Sequence, residues 1–177
     1  MNQVPDKLPQ DADSITQLLA DEKATEAAAR RLSLAIEPGT VIHLSGDLGA
    51  GKTSFCRALI RSLGYNGRVK SPTFTLVEPY NLPRFSLYHF DFYRFSSGEE
   101  LRDAGFEEQL DAQCVALVEW PERAHGYLPP PDLLLQLDWK SENERLLRAT
   151  ATSPRGEQCL SALIDAASSG RDSAAPC

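Results

Sequence analysis

The sequence predicts an α/β sandwich built on a mixed, mainly central β-sheet flanked by helices, and three observations carry that prediction. Residues 40–45 (TVIHLS) are a short apolar run suited to a central buried strand; a glycine-rich turn and a stretch of helical periodicity follow it. The second half holds five further strand-like runs but only two helix-like ones, too few for strict strand–helix alternation. The regions 73–92 and 133–152 each hold two such runs close together, which is where antiparallel pairs of a mixed sheet would form.

The elements follow in order. Residues 1–13 are polar, with two prolines and three aspartates, and read as a flexible N-terminus. Residues 14–20 form a strand, after which Asp21 is placed to cap a helix over 22–35 with its alanines, Leu32, Leu34 and Ile36 on the buried side. Glu37-Pro38-Gly39 ends that helix, and the strand 40–45 follows. Residues 52–63 repeat Phe55, Leu59, Ile60 and Leu63 at helical spacing and stop at Gly64. Strands are expected over 73–78, 85–92, 115–119, 133–139 and 146–152, with helices over 98–112, broken at Gly105, and over 156–167. From 168 to 177 Ser, Gly and Ala dominate, which reads as a disordered tail and leaves 14–167 as one domain.

Composition bounds the function. With 177 residues, 42% of them hydrophobic and 24% charged, the chain is long enough to bury a core without a disulfide or metal staple. Cys56, Cys114, Cys159 and Cys177 are far apart and lack clustered histidines, so they read as reduced thiols rather than zinc ligands. There is no long apolar run and no basic start with an apolar core, so no membrane span or signal peptide is expected and the location is cytoplasmic. The net charge of −7 argues against a protein that coats nucleic acid. Residues 47–94 nevertheless carry seven basic and three acidic side chains, net +4, leaving −11 for the remainder. A basic middle in an acidic chain suits a local anionic ligand.

That ligand is specified by GDLGAGKT, residues 46–53, which matches G-x-x-x-x-G-K-[ST], the Walker A loop. A strand precedes it and a helix follows, so successive backbone amides and the positive helix end point at a β-phosphate. Gly46, Gly49 and Gly51 let the chain reverse and the phosphates approach. Lys52 is placed to reach the β- and γ-phosphates, and the Thr53 hydroxyl to ligate magnesium. Such a loop needs an acid at the end of a neighbouring apolar strand, and two candidates exist: Glu119 after CVALV and Asp91 after SLYHF. The strings N-K-x-D and D-x-x-G are absent, which disfavours GTP, and no dense arginine cluster forms a small-molecule kinase lid.

GDLGAGKT at 46–53, VKSPTFTLVEPY at 69–80, YHFDFYR at 88–94 and VEWPE at 118–122, in this order and at these gaps, resemble the TsaE (YjeE) family. The likeness runs from about residue 14 to 167. It implies a P-loop NTPase-like fold, ATP with Mg2+ as cofactors, weak intrinsic ATPase activity, and work within a complex with the TsaD and TsaB proteins. In that pathway TsaD transfers a threonylcarbamoyl group to an adenosine beside the tRNA anticodon, and the ATPase resets the complex between turnovers. The chain itself would meet tRNA only indirectly.

Carried over, the resemblance assigns the phosphates to Lys52 and to the amides of Asp47, Leu48, Gly49, Ala50, Gly51, Thr53 and Ser54, and magnesium to Thr53 and Glu119. Asp91 orients or deprotonates the attacking water and, with Lys52 and Thr73, makes up the catalytic set. Ser71, Thr73 and Thr75 look like a switch segment that senses the γ-phosphate, and Glu22 matches a position near the adenosine. The first helix, KATEAAARRL, and the Ala- and Ser-rich tail depart from the family pattern. Two other classes stay open at this point: a P-loop kinase of a small molecule or protein with Asp91 as base, and a nucleotide-dependent binding module without turnover.

Overall fold

The computed structural model describes residues 13–95, 113–124 and 126–164. The predicted helix over 98–112, almost all of the N-terminal segment, and the tail after 164 lie outside the described residues.

Among the described residues seven strands form one mixed sheet: β1 (Ser14–Leu19), β2 (Val41–Ser45), β3 (Val77–Asn81), β4 (Ser86–Asp91), β5 (Val115–Glu119), β6 (Leu133–Trp139) and β7 (Arg145–Ala151). Their order across the sheet is β1-β7-β6-β2-β5-β4-β3. The four central strands β6, β2, β5 and β4 run parallel, while β7, β1 and β3 add antiparallel pairs at the edges. The antiparallel pairs β3–β4 and β6–β7 fall in the two regions the sequence indicated. Because β5 lies on one side of β2 and β6 on the other, a crevice opens at the carboxyl end of β2, where ligands of open α/β sheets bind.

Among the described residues three α-helices, α1 (Glu22–Ser33), α2 (Lys52–Ser62) and α3 (Pro154–Ile164), join the core on one face of the sheet. Alternation sorts the strands onto that face: Ile42 and Leu44, Leu87, Val115 and Leu117, Leu133, Leu135 and Leu137 point into the core beside Phe55, Leu59 and Ile60 of α2. Each fully buried side chain of that size contributes roughly 1.5–3 kcal/mol. The opposite residues, including Phe90, Ala116 and Val118, join Phe92, Phe95 and Ala124 in a second cluster. His43 of β2 is buried, its Nε2 has no hydrogen-bond partner among the described residues, and burial lowers its pKa to about 4. Buried Cys159 behaves as a small hydrophobe, its thiol pushed up to about 11.

Local chemistry explains the boundaries. The Asp21 carboxylate accepts from the Ala24 amide at 2.8 Å and starts α1. The last helix begins at Pro154, two residues before the predicted start. The Ser153 hydroxyl accepts from the Gly156 amide at 3.1 Å, and proline suits a first helical position. The strand expected over 73–78 is displaced to Val77–Asn81. The Leu76 amide donates to the Pro72 carbonyl at 2.6 Å and Leu76 takes φ +68°, so 72–76 form a turn; Pro79 is then carried within β3, an edge strand, where a missing N–H is tolerated. Among the described residues no helix is long and apolar enough to cross a membrane.

Candidate functional site

The glycine-rich loop leaves the end of β2 and turns directly into α2. Gly46 has φ +133°, and a Cβ there would come within 2.1 Å of the Leu137 carbonyl oxygen on β6. Glycine is therefore required both by conformation and by the neighbouring strand. Gly46→Ala is expected to lower unfolding free energy by about 3 kcal/mol, the combined scale of left-handed strain and overpacking, measured by urea unfolding. Gly51 has φ +103° and caps α2 with no side-chain hydrogen bond, so the first amides of the helix face outward from the loop.

Lys52 is held rigidly at the loop's centre. Its ammonium donates to the carbonyls of Gly46 at 2.6 Å and Asp47 at 2.9 Å and lies 3.9 Å from the centroid of the Trp120 ring. Burial lowers its pKa, opposed by the carboxylates of Glu119, Glu122, Asp91 and Asp47. Trp120 adopts φ +58°, a left-handed conformation that is costly for a bulky residue; the turn presents its ring to Lys52 and, at 5.1 Å between centroids, to Tyr93.

The two acids meet side by side. Parallel pairing places Asp91 of β4 opposite Glu119 of β5, and Glu119 opposite Leu44 of β2, so both carboxylates end strands adjacent to the loop. The Thr53 hydroxyl donates to Glu119 Oε2 at 2.9 Å, and His89 Nε2 lies 2.7 Å from Glu119 Oε1. Asp91, 3% exposed, accepts from the Thr73 hydroxyl at 2.6 Å and from the Tyr93 amide at 3.0 Å. Since a carboxylate only accepts, the Thr73 proton goes to Asp91, and Ser71 donates to Thr73 Oγ1 at 2.7 Å. Ser71, Thr73 and Asp91 thus form a relay.

A cleft of about 250 Å³ joins these groups; Leu48, Gly49, Gly51, Lys52, Thr53, Ser54, Thr73, Asp91, Tyr93, Glu119 and Trp120 line it. Thr75 stands apart, donating to Glu78 at 3.0 Å, so of the two threonines expected to sense a γ-phosphate only Thr73 reaches the cleft. Glu22 lines a second cleft of about 460 Å³ with Thr25, Ala50, Gly51, Ser54, Leu137, Glu142, Asn143 and Arg145. Arg145 ties the β6–β7 hairpin to the loop, donating from Nε to the Ala50 carbonyl at 3.2 Å while its guanidinium lies 3.6 Å from the Trp139 centroid. The sequence reading passed over Arg145, Asn143 and Tyr93; hairpin-tip polar residues such as SENER give no signal of what they cover.

The donor set suits a hard cation. Thr53 Oγ1 and Glu119 Oε2 are oxygens 2.9 Å apart, close to the roughly 3 Å between adjacent positions of an octahedral shell of about 2.1 Å radius. Cys56, His89 and Glu119 place ligand atoms within 4.8 Å of one another, but burial pushes the Cys56 thiol well up, away from the thiolate that soft metals need.

A mixed sheet with four parallel central strands, a glycine-rich loop running from β2 into α2, and two strand-end acids beside the loop define an α/β protein of the P-loop class. The family model described as threonylcarbamoyl adenosine biosynthesis protein TsaE matches residues 19–147, and the chain belongs to that family. It is 36% identical to the tRNA threonylcarbamoyladenosine biosynthesis protein TsaE of Haemophilus influenzae over 155 residues, covering 85% of this chain and 98% of that protein. The protein of the same name from Bacillus subtilis is 38% identical over 133 residues, covering 75% and 83% respectively. The crystal structure of Bacillus subtilis YdiB superposes with a TM-score of 0.75 at 30% identity, covering 90% of this chain and 99% of that one.

Proposed function

We propose that this chain is an ATP-binding and ATP-hydrolysing subunit in tRNA threonylcarbamoyladenosine biosynthesis, working with the TsaD and TsaB proteins and meeting tRNA only through them. One observation carries the reading: the phosphate-binding loop, the Thr53–Glu119 pair and the Asp91–Thr73 pair converge on one cleft at the carboxyl ends of three neighbouring strands. The family name supports the pathway.

In this reading the amides from Asp47 to Ser54 and the Lys52 ammonium bind the β- and γ-phosphates. Thr53 and Glu119 are the residues that would hold Mg2+, which would supply charge neutralisation to the bound phosphates. Asp91 orients the attacking water and takes its proton as general base, while Thr73 fixes Asp91. The Trp120 and Tyr93 rings wall the cleft against bulk water. Glu22 and Arg145 face the second cleft beside Gly51 and Ser54, the side on which a nucleoside would lie. Phe74, 80% exposed with the Arg94 guanidinium 4.2 Å from its centroid, follows Thr73 directly and gives a partner a surface linked to the γ-phosphate side.

Glu119→Ala is expected to raise the Mg2+ concentration needed for half-maximal tightening of ATP binding by about 10- to 100-fold, measured by calorimetric titration across a Mg2+ series. An unchanged requirement removes Glu119 from the metal role.

A further inference from the structure

His89 occupies a position that packing alone does not explain. It lies on β4, two residues before Asp91, and is fully buried on the sheet face that carries Glu119 and packs against α2. Two residues earlier on the same face stands Leu87, also fully buried, the residue type such a site ordinarily takes. The His89 ring meets Glu119 Oε1 at 2.7 Å through Nε2, and its Nδ1 is buried with no hydrogen-bond partner among the described residues. A carboxylate only accepts, so the hydrogen of this contact sits on Nε2. The ring therefore leaves one nitrogen unsatisfied in order to make a single bond, and that bond goes to the acid beside the phosphate loop.

Glu119 is held from both ends. His89 takes Oε1 and Thr53 takes Oε2, at 2.7 and 2.9 Å. A glutamate side chain has three rotatable bonds, and a carboxylate gripped at one oxygen keeps the other aimed without losing rotamer freedom when a ligand arrives. We propose that His89 is a positioning residue for Glu119: its Nε2–H clamps Oε1 so that Oε2 stays turned toward Thr53 and the divalent cation. The proposal rests on the reading of Glu119 as the metal acid. His89 touches neither nucleotide nor cation in this account and acts only through that carboxylate, as outer-shell partners orient metal ligands elsewhere.

The test compares His89→Leu, which keeps apolar bulk and loses the donor, with His89→Gln, whose side-chain amide restores an N–H at similar reach. Mn2+ binding to the protein–ATP complex by electron paramagnetic resonance, and the Mg2+ dependence of ATP binding by calorimetry, are read for both, with ATP affinity in EDTA as the metal-free reference. His89→Leu is expected to weaken cation binding about 10- to 100-fold, and His89→Gln to stay within about threefold of wild type. ATP affinity in EDTA should be the same in all three proteins. His89→Leu with wild-type cation affinity, or His89→Gln impaired as much as His89→Leu, overturns the proposal. Glu119→Ala separates the two levels. If it leaves cation affinity unchanged, the metal-acid reading has failed; if it weakens the cation while His89→Leu does not, only the positioning role is lost.

Discussion

Lys52→Ala weakens ATP binding by about 10- to 150-fold while the chain stays folded. Among the described residues lining the cleft beside the phosphate loop the ammonium is the one side-chain cation, and a hydrogen bond to a charged group contributes about 1.5–3 kcal/mol. The geometry sharpens the expectation. Gly46, Asp47 and the Trp120 ring already fix Lys52 in place, so little rotamer entropy is lost when phosphate oxygens join its partners. Its partly desolvated charge is also stronger toward an anion than a free surface lysine's. Calorimetric titration with ATP in the presence of Mg2+ checks this, and wild-type affinity in the variant removes the loop from phosphate binding.

Asp91→Asn leaves ATP affinity within a few-fold of wild type and cuts hydrolysis by about 10²- to 10⁴-fold, the span of a lost general base. Asparagine keeps an oxygen for the Thr73 hydroxyl, so the turn over 72–76 should hold while the carboxylate's basicity is lost. Phosphate release under saturating ATP reports the rate, and calorimetry the affinity. If Asp91→Asn instead loses Mg2+-dependent binding while Glu119→Ala retains it, the roles of the two acids are exchanged.

What the sequence reveals here follows how local each feature is. The loop at 46–53 was legible because its chemistry is contiguous: glycines that must reverse the chain, a lysine and a threonine at fixed offsets, a strand before and a helix after. Asp91 and Glu119 were legible as acids ending apolar runs, but nothing in the sequence says that β4 and β5 pair in the register that sets them side by side. That juxtaposition is a property of the sheet. The grip of His89 on Glu119 spans thirty positions and joins two strands, so nothing local to His89 in the sequence announces it. Arg145 reaches Ala50 across ninety-five positions, and its hairpin carries no pattern that announces it. The displacement of β3 has a simpler origin. The expected strand 73–78 stops short of Pro79, whereas an edge position accommodates that proline, and the positive φ of Leu76 places 72–76 in a turn.

The ATP hydrolysis proposed for this cleft serves threonylcarbamoyl transfer to tRNA. The most direct measurement is phosphate release from ATP by the chain combined with the TsaD and TsaB proteins, run in parallel with Lys52→Ala and followed by mass spectrometry of every protein present. Partner-stimulated release of free phosphate, lost in Lys52→Ala and leaving no phosphorylated acceptor, is the predicted result. Release indifferent to Lys52→Ala, no release with the partners present, or phosphate recovered on an acceptor, contradicts it.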